Sequence, residues 1–206
     1  MDWVTPGTWR YAGLALAGAL VALAFSPAAS VVLAATAGFV VLFHRDPDRD
    51  PPGSGVLAPA DGRVTVVRRE RDENGEDGRL RVGIFMGVSN VHVNRAPMGG
   101  RVREVTHSSG GHWPAFTKES DRNERVTVDC GEFSVVLIAG AFARRIHPYV
   151  AAGARLARGQ RIGHISFGSR ADVVLPASVS HDDLAVAEGD RVRAGETEIA
   201  TLPGSG

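Results

Sequence analysis

Lysine is almost missing from this 206-residue chain: of 23 basic residues, 22 are arginine and only Lys118 is lysine. A pyridoxal enzyme holds its cofactor as a Schiff base on a buried lysine, and Lys118 lies in the polar run from Thr117 to Arg125, so no such cofactor (no PLP) is expected. Cysteine is as scarce. Cys130 stands alone, which excludes an intramolecular disulfide and a cysteine metal cluster; it ends the strand-like stretch RVTVDC and reads as packing. Excess charge is absent too, 23 acidic side chains balancing 23 basic ones, so no nucleic acid partner is expected. His107 and His112 flank a glycine-rich loop at a spacing that fits no metal motif, so no metal is expected, and the loop reads as mobile, with a substrate lid as the lesser alternative.

Charge is missing altogether between residues 11 and 43. Two apolar runs, Tyr11 to Phe25 and Ala28 to Phe43, are separated by Ser26-Pro27, a helix cap followed by proline at the first helical position. Each run would make a helix of about 23 Å, short against a hydrocarbon core of about 30 Å. A secretory signal is disfavoured because Asp2 precedes the first basic residue, Arg10, and cleavage near Ala29 would leave the second run intact. A buried hairpin would need more covering chain than remains. The expectation is a membrane-associated helical hairpin over residues 1–43, with Gly13, Ala17, Gly18 and Ala22 at the helix contact. Arg45 and Arg49 place its ends, and hence the rest of the chain, on the cytoplasmic face of the cell membrane.

Residues 44–55, dense in Pro and Asp, read as a linker, and residues 56–206 as one mainly β domain. Strands are expected at Gly62 to Val67, Arg79 to Phe85, Ser89 to Val93, Arg101 to Thr106, Arg125 to Asp129 and Phe133 to Ala139. The charged stretch between the first two carries turn signals at Asn74-Gly75 and Asp77-Gly78, and Ala141 to Ile146 offers a helical turn or two. A faint repeat relates Gly153–Gly159 to Gly189–Gly195, read as two similar turn-and-strand units of one sheet.

The stretch IGHISFGSRADVVLP, Ile162 to Pro176, contains a Gly-Ser pair framed by β-type runs on both sides. The other two such pairs, Gly53-Ser54 and Gly204-Ser205, lie among Pro and Gly without that frame. A glycine before the serine admits strained dihedrals and leaves its carbonyl open to the following hydroxyl. Attack of the Ser169 oxygen on the Gly168 carbonyl would turn the peptide into an ester, and β-elimination would divide the chain into residues 1–168 and 169–206. The second piece would begin with dehydroalanine, which hydrolyses to a pyruvoyl group. Such self-cleavage needs a base and something to orient it. His92, at a strand end in SNVHVNRAP, and Asp61, in the tight turn APADG, are placed for this, though a turn-forming Asp and an ordinary His explain them as well.

ISFGSRADVVLP, Ile165 to Pro176, resembles the processing site of the pyruvoyl-dependent phosphatidylserine decarboxylases in their short bacterial and archaeal form. The likeness continues, in order, through FHRDPDRDPP from Phe43, LAPADGRV from Leu57, GIFMGVSNVHVNRAP from Gly83, NERV from Asn123 and IAGAFARRI from Ile138. Longer members have Leu-Gly-Ser-Thr where this chain has Phe167-Gly168-Ser169-Arg170, and a second histidine where it has Arg95. The resemblance implies a zymogen cut between Gly168 and Ser169, a pyruvoyl cofactor made from Ser169, and cleavage assisted by His92 and Asp61. It implies conversion of phosphatidylserine or archaetidylserine to the ethanolamine phospholipid with loss of carbon dioxide, by two chains paired non-covalently, with a homo-oligomer left open. With Arg95 in place of the second histidine, whether His92 serves product protonation as well as cleavage is left open. Arg95, Arg125, Arg144 and Arg145 are the candidate cations for the lipid phosphate. The competing reading is a noncatalytic membrane-anchored β domain on a biotinyl- or lipoyl-like scaffold, which keeps Gly168-Ser169 as a turn.

Overall fold

The computed structural model describes residues 4–71, 77–111, 113–115, 118–141, 145–165 and 168–203. The chain divides into two compact units, Met1–Asp48 and Arg49–Gly206.

The first unit is a pair of helices, α1 (Thr8–Leu23) and α2 (Pro27–Phe43). Ser26 caps α2 by accepting from the Ala29 N–H at 3.3 Å, with Pro27 at the first helical position, as the sequence reading required. The outer ends meet where the Thr5 N–H donates to His44 O at 2.8 Å. Thr8, Ala12 and Ala19 are the buried face of α1, while Gly13 and Ala17, expected at the contact, face outward. The 3.6-residue period explains the shift: positions 12, 15, 19 and 22 share a stripe from whose edge at 12 position 13 is rotated by about 100° and position 17 by about 140°. Leu14, Leu20, Val21, Phe25, Val31 and Val32 are all exposed. Neither helix, at 16 and 17 residues, is long and apolar enough to cross a membrane, and no other helix among the described residues is.

The second unit is mainly β. In chain order its strands are β1 (Val56–Leu57), β2 (Gly62–Arg71), β3 (Asp77–Phe85), β4 (Val93–Arg95), β5 (Gly100–Arg101), β6 (Glu104–Ser108) and β7 (Arg125–Asp129). They continue as β8 (Ser134–Ile138), β9 (Ile146–Pro148), β10 (Arg155–Leu156), β11 (Arg161–Ile165), β12 (Arg170–Val174), β13 (Arg191–Val192) and β14 (Glu198–Ala200). Seven form one antiparallel sheet in the order β13-β2-β3-β12-β8-β7-β6, with β12 in its middle. A three-stranded sheet, β4-β11-β9, and the pairs β1–β14 and β5–β10 complete the unit. Alternation along β12 sends Ala171 and Val173 into the core with Ile84, Val82, Leu137 and Val135, their partners across the ladder. Arg170 and Asp172 take the opposite face.

Several boundaries differ from the sequence reading, each for a local reason. Ser89 lies in a turn rather than a strand, because Asn90 Oδ1 accepts the Gly87 N–H at 2.9 Å and closes residues 87–90; His92 therefore precedes β4 instead of ending a strand. Asp77-Gly78 belongs to β3, Asn74-Gly75 lies outside the described residues, and so do residues 142–144 of the expected helical turn, whose last residue, Ile146, opens β9. The stretch from Arg49 is bound to the β unit: Arg158 donates to Pro52 O, Ser54 O and Gly55 O. The repeat is real in its hydrogen bonds. Gly153 and Gly189 both have positive φ and donate to Val102 O and Val64 O, but their strands lie in different sheets, β10 with β5 and β13 with β2. Cys130 is buried, and burial, with the Asp129 charge beside it, pushes its thiol up to about 11, which keeps it protonated and inert at neutral pH.

Candidate active site

One row of cross-strand partners runs through the large sheet: Arg191, Arg63, Phe85, Arg170, Ile138 and Arg125. Ser169 is one residue before this row and Asp61 two before it, Met86 is one after it, and Gly140 two after it. Four chain segments from distant parts of the sequence thus converge at one end of the sheet, with Ser169 central.

Gly168 has φ +62°, a left-handed backbone open to glycine. Ser169 follows with 0% of its surface exposed, and its carbonyl accepts the Met86 N–H at 2.9 Å. Its hydroxyl has no hydrogen-bond partner among the described residues. A buried hydroxyl left unsatisfied costs about 1–3 kcal/mol, so its retention asks for a chemical explanation. Gly140 completes the setting. A Cβ on Gly140 would stand 1.8 Å from the Gly168 carbonyl oxygen, 2.7 Å from its carbon and 3.4 Å from Ser169 N. The Gly168–Ser169 peptide therefore lies against the bare α-carbon of Gly140, a constraint that spacing alone could not reveal.

His92 is 3% exposed, and its carbonyl accepts the Ile165 N–H at 3.3 Å, which ties it to the segment entering the corner. Asp61 is buried at the start of β2. Arg49 Nη2 donates to both its oxygens, at 3.1 and 2.9 Å, and the Ala194 N–H donates to Oδ1 at 2.8 Å. Those hydrogen bonds go to neither His92 nor Ser169. Arg49, which the sequence reading used only for membrane orientation, is thus the counterion of Asp61 and also reaches Glu196 at 3.2 Å. Its place in RDPDRDPP, 12 residues before Asp61, gave no signal of that pairing.

The four arginines considered for phosphate fall in different surroundings. Arg95 is buried and donates to Gly159 O at 3.0 Å; Arg125 donates to Asp121 O at 2.6 Å; Arg145 is exposed; Arg144 lies outside the described residues. A cleft of about 510 Å³ opens at the same end of the sheet, lined by Arg63, Phe85, Gly87, Ser89, Asn90 and Arg191, together with Gly62. Arg191 has no ion-pair partner among the described residues. A second cavity, of about 610 Å³, lies at the far end beside Cys130 and Phe133 and contains none of the corner residues.

Comparison with known proteins adds to this geometry. Residues 36–200 match the family model described as phosphatidylserine decarboxylase. A protein of Halobacterium salinarum, provisionally named an archaetidylserine decarboxylase proenzyme, is 60% identical over 195 residues, 95% of this chain and 97% of its own. The phosphatidylserine decarboxylase proenzyme of Thermobifida fusca is 47% identical over 176 residues, 84% of this chain and 77% of its own. A Methanosarcina acetivorans protein, with the same provisional name as the first, is 44% identical over 171 residues, 80% of this chain and 76% of its own.

Proposed function

The chain belongs to the phosphatidylserine decarboxylase family, and on that premise we propose that it cuts itself between Gly168 and Ser169 and acts through the ketone so formed. It is a self-processing carboxy-lyase that makes an ethanolamine phospholipid from a serine phospholipid. The noncatalytic scaffold is not favoured. The observation that carries the cleavage site is the buried, unsatisfied Ser169 hydroxyl directly after a glycine at φ +62°.

Ser169 Oγ adds to the Gly168 carbonyl carbon, the C–N bond breaks with its nitrogen taking up the hydroxyl proton, and an ester joins the two residues. Loss of the Ser169 α-proton then expels Gly168 as a carboxylate. The unsaturated residue left at 169 takes up water and releases ammonia, becoming a pyruvoyl group. His92, held to Ile165, is the base we assign to these proton transfers, with Asp61, fixed by Arg49 and the Ala194 N–H, as the group we assign to orient it. The pyruvoyl ketone supplies an acceptor that condenses with the substrate amine and takes up the electron pair released as carbon dioxide leaves. The protein's part is to keep that position dry, since Ser169 is fully buried and loss of a carboxylate charge is favoured where water is excluded.

For the lipid phosphate we assign the cleft bearing Arg63 and Arg191, with exposed Arg145 as a further cation. A charge-assisted hydrogen bond contributes about 1.5–3 kcal/mol, so replacing Arg63 and Arg191 together by Gln should raise KM about tenfold or more and leave self-cleavage at its normal rate. An unchanged KM would remove the cleft from substrate recognition. The exposed Leu, Val and Phe side chains of the helical unit support attachment to the cell membrane, and Arg45 a cytoplasmic orientation.

Intact mass under denaturing conditions tests the reading. Two pieces are expected, residues 1–168 and 169–206, the second without an ordinary terminal amine, together with carbon dioxide release from serine lipids. A fully active preparation of one uncut 21.7 kDa chain would overturn it. Running ester-linked and ether-linked serine lipids side by side decides the lipid backbone.

A further inference from the structure

Arg170, the residue after the cut, is 2% exposed, and its guanidinium is engaged on every side. Nε and Nη2 grip both oxygens of Asp172, at 2.7 and 2.9 Å, from two positions along the same strand. Nη2 also donates to Asp121 Oδ1 at 2.6 Å, and Nη1 to Ser120 Oγ at 2.8 Å. Asp121 takes a second cation, Arg68, at 2.7 Å, and Asp172 takes Arg81 at 3.2 Å, which in turn meets Glu70 at 2.5 Å. Three cations and three anions balance on the sheet face opposite the core, and they join β2, β3, β12 and the short turn at Lys118–Arg122.

The arrangement is built into the backbone. A Cβ on Gly83 would lie 2.7 Å from Asp172 Oδ1, so the neighbouring strand gives up its side chain where Asp172 needs room. Burial alone would push the Arg170 guanidinium down; Asp172 and Asp121 more than offset it and push it up. Burial raises the Asp121 carboxyl, and Arg68 and Arg170 bring it below its ordinary range.

We propose that Arg170 is a positioning residue for both reactions at residue 169: it pins the strand immediately after the scissile bond to Asp172 and to the 120–121 turn. The inference rests on the cleavage site assigned above. Before cleavage, the Gly168 carbonyl is approached by a hydroxyl carried by the residue directly before this anchor. After cleavage, residue 169 has lost its covalent tether on one side, and what holds its carbonyl carbon in place is the Met86 N–H and the neighbour locked by Arg170. A displacement of about 1 Å in such a setting costs on the order of a hundredfold in rate. Only a planar fork meets Asp172, Asp121 and Ser120 together, so lysine cannot replace it.

The test uses the full chain with Arg170→Lys and, because a buried replacement can fail to fold, Asp121→Asn as a second variant at the half-exposed rim of the network. Cleavage rate is followed by intact mass, ketones are counted by hydrazone formation, kcat is expressed per ketone, and melting is recorded in parallel. Expected are cleavage slowed about tenfold or more in Arg170→Lys, and in either variant a kcat per ketone reduced by a similar factor with KM within twofold. A purely structural role would lower melting and the number of ketones but leave kcat per ketone intact, and that result overturns the proposal. Wild-type cleavage rates in both variants overturn it too. A wild-type chain that is itself uncut at Ser169 defeats the cleavage assignment instead, and this proposal with it.

Discussion

Ser169→Ala is expected to give a single uncut chain with no decarboxylase activity and with stability equal to or above that of the uncut parent. The first half follows from removing the nucleophile, for which no neighbouring hydroxyl can substitute across a fixed peptide. The second half is the sharper claim. A buried serine is normally retained because its hydroxyl is bonded, and its loss then destabilises. Here the hydroxyl has no partner among the described residues, so its removal relieves a cost of about 1–3 kcal/mol instead of creating one. The melting temperature of the alanine variant should therefore not fall below that of a chain caught before cleavage. A cut Ser169→Ala chain would sink the assignment; an uncut but strongly destabilised one would show that the hydroxyl is structural.

Gly140→Ala is expected to fold and to lose self-cleavage by a hundredfold or more. The added methyl carbon would stand 1.8 Å from the Gly168 carbonyl oxygen, and every atom it meets belongs to backbone, so no rotamer change relieves the clash. The scissile peptide or the end of β8 must move by more than an ångström, enough to take the carbonyl out of reach of Ser169 Oγ. Just before it, Ala139 N donates to Glu124 O at 2.9 Å and Asn123 Nδ2 donates to Ala139 O at 2.8 Å, so the segment that continues β8 is the less yielding partner. Appearance of residues 169–206 by mass, timed from synthesis, reads the effect; wild-type timing would show that the contact plays no part in setting the corner.

How much of this was open to reading in the sequence depended on the range of the interaction. The Gly168-Ser169 corner and the strands beside it are written in local residue types, as is the Ser26-Pro27 helix start, and each was found. Strand edges failed where a side chain captured the backbone, as Asn90 does at Gly87. The counterion of Asp61, the Asp121 and Ser120 partners of Arg170 and the neighbour of the Gly168 carbonyl come from 12, 49 and 28 residues away or more, and no periodicity encodes such pairings. An arginine in a Pro- and Asp-rich stretch looks solvated until the fold closes over it. The small residues of α1 were identified by type but not by angle, because Gly13 and Gly18 look alike in composition and differ only in the direction the helix turns them.

On the proposed cut before Ser169, the middle position of β12 would fix the timing of maturation. A cut before Ser169 makes that strand the leading segment of a short polypeptide that also supplies β13 and β14, each hydrogen-bonded to strands of the longer piece. Neither fragment can close the large sheet alone, so assembly has to be finished while the polypeptide is still whole. Maturation then works as a ratchet: a mature molecule that melts must find its partner by diffusion, and dilution alone should make its thermal denaturation irreversible.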